Sequence, residues 1–122
     1  MLNKKVEKVL VAQVEKEGYS SHLYLAMAGW AESKGMSGIA KWLYAQAEEE
    51  RMHMLKFITY INERGGRAII PGFEKPPVDF DGVKKMFDQV FEHEQFVTKS
   101  INDIVEVCLN EKSRCANSTW NR

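Results

Sequence analysis

Cysteine is scarce in this chain. Cys108 and Cys115 are the only two, with no Cys-x-x-Cys and no disulfide framework. That scarcity excludes a thiolate-rich structural zinc site, and it leaves Cys108 as an expected small core residue and Cys115 as a tail thiol. Proline is confined to Pro71, Pro76 and Pro77, so nothing breaks a helix on either side of that stretch. No apolar run is long enough to span a bilayer, and the N-terminus lacks the apolar stretch of a signal peptide; a cytoplasmic protein is expected. An excess of one charge is missing too: 17 Lys plus Arg balance 17 Asp plus Glu. No net field therefore attracts nucleic acid or an anionic membrane. Nowhere does a strand's apolar–polar alternation appear.

What is present is helical period. The chain has 122 residues, 44% hydrophobic and 28% charged, which suits one globular domain. Over about residues 5–34 the apolar positions run Val6, Leu10, Val14, then Tyr24, Ala28 and Ala31, with Glu17 and Ser21 filling the gap in the stripe. Gly35 is a natural stop, and Ser37 is the expected cap of a second helix over 38–64. That helix carries Ile39, Leu43, Ala47, Glu50, Met54, Phe57 and Ile61, and ends at Gly65-Gly66. Asp81 is the expected cap of a third helix over 82–111, striped by Val83, Phe87, Val90, Glu94, Val97, Ile101, Ile104 and Cys108.

Between the second and third helices, residues 65–80 hold Gly65-Gly66 and all three prolines. A loop this long inside a compact domain needs a reason. A helix of about 27 residues is roughly 40 Å long, and a loop of this length extends to roughly 50 Å. The loop can therefore run back along the bundle and start the third helix parallel to the second, a crossover connection known in helix bundles. After Lys112 the amphipathic pattern stops. Residues 113–122 form a polar tail in which Asn117-Ser118-Thr119 matches a glycosylation sequon that a cytoplasmic chain leaves unused. The expected division is a helical domain over 1–112 and a non-matching tail over 113–122.

The chemistry lies in the stripes. In Glu50-Arg51-Met52-His53 the Glu and His are three residues apart, so one helical turn presents both to a single ion. Both lie on the apolar stripe, where charge is costly unless neutralised. Glu17 on the first helix and Glu94 on the third repeat the anomaly. A lone Glu in a stripe ordinarily sits at its edge and reaches water; three Glu and one His in the seams of separate helices point to a metal site. Carboxylate plus imidazole suits iron, zinc or manganese. Glu49 is a candidate at the rim, Glu48 belongs to a solvated face, and Tyr24, seven residues after Glu17, lies on the same face. His22 and His93 fall off the stripes and are expected to be exposed. Met27, Trp30, Trp42 and Phe87 are expected in the core or at subunit contacts.

Glu17-Gly18-Tyr19-Ser20-Ser21-His22-Leu23-Tyr24, Ala47-Glu48-Glu49-Glu50-Arg51-Met52-His53 and Glu94-Gln95 together resemble the bacterial non-haem ferritins, from Met1 to about Lys112 and including the crossover loop. The resemblance implies an all-α, ferritin-like helical bundle assembled in the family into a 24-subunit shell that oxidises Fe(II) and stores a ferric mineral. It implies Glu17, Glu50 and His53 at a first iron site. Glu50 would bridge to a second iron ended by Glu94, with Glu49 at a third site and Tyr24 beside the centre. The haem-binding relatives place Met directly after this Glu; here Arg51 stands there, so no haem is expected.

Family members continue into a fourth long helix, for which residues 113–122 show no likeness. The expectation is a fourth helix absent or replaced by a partner chain. An apolar trough along Val14, Ala47, Phe87 and Ile101 would then be left to a homo-oligomeric contact. Two other functions stay open: a catalytically impaired, self-associating helical subunit, and a rubrerythrin-like peroxidase. The second needs another Glu-x-x-His, and Glu94-Gln95-Phe96-Val97 does not supply it.

Overall fold

The computed structural model describes residues 2–111; Cys115, the sequon and the expected tail over 113–122 lie outside them. Among the described residues there are three helices and no strand: α1 (Lys4–Ser33), α2 (Ser37–Glu63) and α3 (Val83–Asn110). Each bound lies within one residue of the expected helix.

The helix starts differ from expectation in which residue caps them. Asn3 caps α1, its Oδ1 accepting from the Lys5 and Val6 amides at 2.8 and 3.3 Å. At α2 the cap is Met36 and Ser37 is already helical, with no side-chain capping bond. At α3 the cap is Gly82, at φ 105°, rather than Asp81. The stops hold as expected: Gly35 and Gly65 take φ 78° and 87° just past their helices, a conformation that only glycine adopts without a steric cost.

α1 and α2 form a tight antiparallel pair, and α3 packs chiefly on α1. The core divides into two apolar clusters. One joins Tyr24, Met27, Leu43, Phe80, Met86 and Val90 at the α1 C-terminal end. The other joins Val6, Leu10, Phe57, Ile61, Ile104 and Cys108 at the opposite end. Cys108 is fully buried in this second cluster, as expected of a small core residue.

The loop between α2 and α3 follows α1 from end to end. Gly66 lies against Glu7, Phe73 against Gly18 and His22, and Phe80 against Trp30. The loop therefore delivers α3 antiparallel to α1 and parallel to α2, the crossover read from its length. Gly18 makes the middle contact possible: a Cβ there would stand 2.3 Å from Cζ of Phe73. The half-buried Phe73 ring lies directly over the helix backbone because no side chain separates them.

The expected trough is not where the sequence placed it. Val14, Ala47 and Ile101 are buried at 1, 2 and 6% exposure, and Phe87 is half-buried against Trp42. α1 already covers the stripes of both other helices. The apolar residues left in the open on α3 are Phe91, Phe96 and Leu109, which fall beside its seam.

Candidate metal centre

Between the two apolar clusters lies a layer of buried polar side chains: Gln13, Glu17, Ser20 and Ser21 on α1, Glu50 on α2 and Ser100 on α3. They occupy the same inward face as the apolar stripes, because 3.6-residue periodicity carries Gln13, Glu17, Ser20 and Tyr24 down one side of α1. Ser21 fastens the pair of helices by donating to the Ala47 carbonyl at 2.8 Å. The Gln13 amide Nε2 donates to Glu17 Oε1 at 3.1 Å.

The other Glu17 oxygen faces α2. His53 Nδ1 stands 3.8 Å from Glu17 Oε2 and 3.5 Å from Glu50 Oε2. Both spacings exceed a good hydrogen bond and describe a charge cluster. The two carboxylates, Glu17 first and Glu50 second, push the His53 pKa up from 6.5 to about 9, against partial burial, which lowers it. Ligand atoms of Glu17, Glu50 and His53 all lie within 4.8 Å of one another. Two buried carboxylates and one imidazole at that spacing fit one divalent ion of the iron, zinc or manganese class. Such an ion displaces the imidazole proton on binding.

The remaining expected site residues are placed differently. Glu94 does not join this cluster. It is half-buried on α3, and its Oε1 accepts from the Tyr24 hydroxyl at 2.5 Å. Glu94 also lines an open cleft of about 380 Å³ with Phe91, Gln95, Thr98, Lys99 and Asn102. Tyr24 is fully buried, as its position on the stripe requires. Glu49 is exposed and outside the cluster. His22 is exposed as expected, its ring edge-on to Phe73.

His93, expected in solvent, is half-buried and tied to α1, a correction to the off-stripe reading. The Ser20 hydroxyl lies 2.8 Å from the Lys16 carbonyl, to which it can donate. It also lies 2.5 Å from His93 Nε2, a hydrogen bond whose direction follows the imidazole tautomer. The His93 ring meets the Tyr24 ring edge-on at 6.1 Å. Gln13 and Ser20 carry no charge and did not stand out within the stripes, and His93 falls off its own. Gln13 had a readable signal, standing one turn before Glu17 on the same face. The Ser20–His93 contact is long-range and left none.

These features define a helical bundle with a buried carboxylate–histidine layer, and the comparisons with known proteins agree with that fold. The ferritin-like domain family matches residues 7–119. This chain belongs to the ferritin family. It is 40% identical over 116 residues to a probable bacterial non-heme ferritin-like protein of Haemophilus influenzae, covering 95% of this chain and 70% of that relative. A bacterial non-heme ferritin of Campylobacter jejuni is 40% identical over 112 residues, covering 92% of this chain and 67% of its own length. Among solved structures, Chlorobium tepidum ferritin superposes with a TM-score of 0.93 at 35% identity, over 98% of this chain and 74% of that one. An open pore ferritin from Archaeoglobus fulgidus gives 0.94 at 36% identity, with the same coverage. No helix among the described residues is long and apolar enough to cross a membrane.

Proposed function

We propose that this chain takes Fe(II) as its substrate between α1 and α2 and oxidises it to Fe(III), the entry step of iron storage and detoxification. The observation that carries this reading is the Glu17–Glu50–His53 cluster, whose ligand atoms lie within 4.8 Å of one another in the buried mid-section. Membership of the ferritin family supports it. The electron count favours a two-iron arrangement. Two Fe(II) each give up one electron, and O2 takes both with two protons to form H2O2; peroxide as oxidant takes two electrons and two protons to form two waters.

In this reading Glu17 and His53 end the first iron site and Glu50 bridges to the second. Glu94 serves that second iron, Glu49 collects iron at the rim, and Tyr24 holds Glu94 beside the centre. No haem takes part. The working unit is a homo-oligomer in the cytoplasm, as a 24-subunit shell if the family pattern holds for this chain.

A second reading has one observation in its favour: Glu94 stands outside the triad, held by Tyr24. On that reading the chain is a self-associating helical subunit with impaired iron oxidation. Oxygen consumption after Fe(II) addition separates the two. The ferroxidase reading expects a fast wild-type rate that Glu50→Ala reduces to background. Equal, near-background rates in both proteins overturn it in favour of the structural subunit.

A further inference from the structure

Gln13 is among the most deeply buried polar side chains of the molecule, at 1% exposure. Its amide Nε2 donates to Glu17 Oε1 at 3.1 Å, a carboxylate oxygen being the acceptor and the amide N–H the donor. That bond turns Gln13 Oε1 inward, where it has no hydrogen-bond partner among the described residues. A buried acceptor left this way costs free energy that Met or Leu at the same helical position would not. Stability therefore argues against Gln at position 13. A residue that breaks a local rule at a buried position points to a functional constraint.

The two ends of the Glu17 carboxylate show what that constraint is. Oε1 is held by Gln13, while Oε2 faces His53 Nδ1 at 3.8 Å. The Gln13 bond fixes the rotation of the carboxylate about its last side-chain torsion, which is otherwise broad. It also occupies the oxygen that a two-point grip on an ion would need. We infer that Gln13 is a positioning residue for Glu17, presenting a single carboxylate oxygen to an ion shared with Glu50 and His53. This rests on the proposed iron-binding role of the triad and adds a residue outside it, acting through the ligand rather than on the ion.

Gln13→Met tests this, since it keeps the length and helix propensity of the side chain and removes the donor. Anaerobic titration with Fe(II), and with redox-inert Zn(II), measures ion binding apart from oxidation. Thermal melting without metal reports the fold, and Ser21→Ala is a control for general loosening of the same layer. Loss of a hydrogen-bonding partner behind a metal ligand typically weakens affinity by about 10- to 100-fold. The expected result for Gln13→Met is a loss of about tenfold in affinity for both ions, with a melting temperature equal to or above wild type. Ser21→Ala is expected to melt lower and bind as wild type. Wild-type affinity in Gln13→Met overturns the inference while leaving the iron-binding reading intact. A melting temperature well below wild type, or failure to fold, also overturns it, because the amide is then structural. Absence of ion binding by the wild-type protein overturns both.

Discussion

Leu10, Phe57 and Ile104 close one end of the bundle and Met27, Leu43 and Met86 the other, while Gln13, Glu17, Ser20 and Glu50 occupy the stretch between them. All three regions are equally shut off from water, and the same helices build them. The ends bury apolar area and gain stability from it. The middle buries carboxylates, hydroxyls and an amide, a composition that stability alone does not select. The contrast divides the labour: the ends hold α1, α2 and α3 in register, and that register brings carboxylates from two helices to one point.

The largest expected effect comes from cutting an end. Leu10 and Leu43 are fully buried, and truncating such a leucine to alanine removes about 3 kcal/mol by lost transfer and cavity formation. Urea unfolding of metal-free Leu10→Ala and Leu43→Ala should show that loss in each. In the middle, Glu50→Gln keeps the shape and removes a buried charge, so the metal-free protein should unfold at the same urea concentration as wild type or a higher one. A fall for Glu50→Gln as large as that for Leu10→Ala would break the comparison, making the polar layer part of what holds the fold.

How far the sequence disclosed this division depends on the range of each interaction. The apolar stripes and the anomalies at Glu17, Glu50 and His53 are periodic and local, and they were legible; so were the glycine stops at Gly35 and Gly65. The helix caps were misplaced because Ser37 and Asp81 have the right chemistry but stand one residue to either side of the caps that form. Glu94 was legible as a carboxylate on an inward stripe. The hydrogen bond it accepts from the Tyr24 hydroxyl depends on how α3 is rotated against α1, which period alone leaves open. The trough was misread for a related reason: a stripe shows that a face is covered without showing which neighbour covers it.

A smaller effect tests how the crossover loop is fastened beside the polar layer. In Gly18→Ala the new Cβ would stand 2.3 and 2.5 Å from the Phe73 ring and 3.0 Å from Met54 Sδ, so the ring must lift. Overpacking of this kind costs about 1–3 kcal/mol, and alanine returns up to about 1 kcal/mol of helix propensity. The net loss should be about 1 kcal/mol, accompanied by faster proteolytic cleavage within residues 67–81. Unchanged cleavage would mean that the loop is held from its two ends alone. Tyr24→Phe should cost a similar amount or less. It removes the bond to Glu94, but that half-buried carboxylate has access to water as a replacement partner.

The smallest effect is a slope with pH, and it addresses why the polar layer is tolerated at all. In the metal-free protein the His53 imidazolium faces both buried carboxylates, at 3.8 and 3.5 Å. Its pKa rises from 6.5 to about 9 on folding, chiefly through Glu17 and then Glu50. The folded state thus holds this proton more tightly than the unfolded chain, so protonation stabilises the fold. The contribution is fully present below about pH 6.5 and disappears as pH rises through about 9. Because the His53 ring is only partly buried, solvent screening keeps the effect modest. Metal-free wild type should therefore lose urea resistance between pH 6.5 and 9, and His53→Gln should flatten that slope. Saturating Zn(II) should flatten it in the wild type as well, since a bound ion takes over the neutralising role and releases the proton. A slope that persists in His53→Gln would assign the pH dependence to other groups, and the triad would then owe its tolerance to something other than its own histidine.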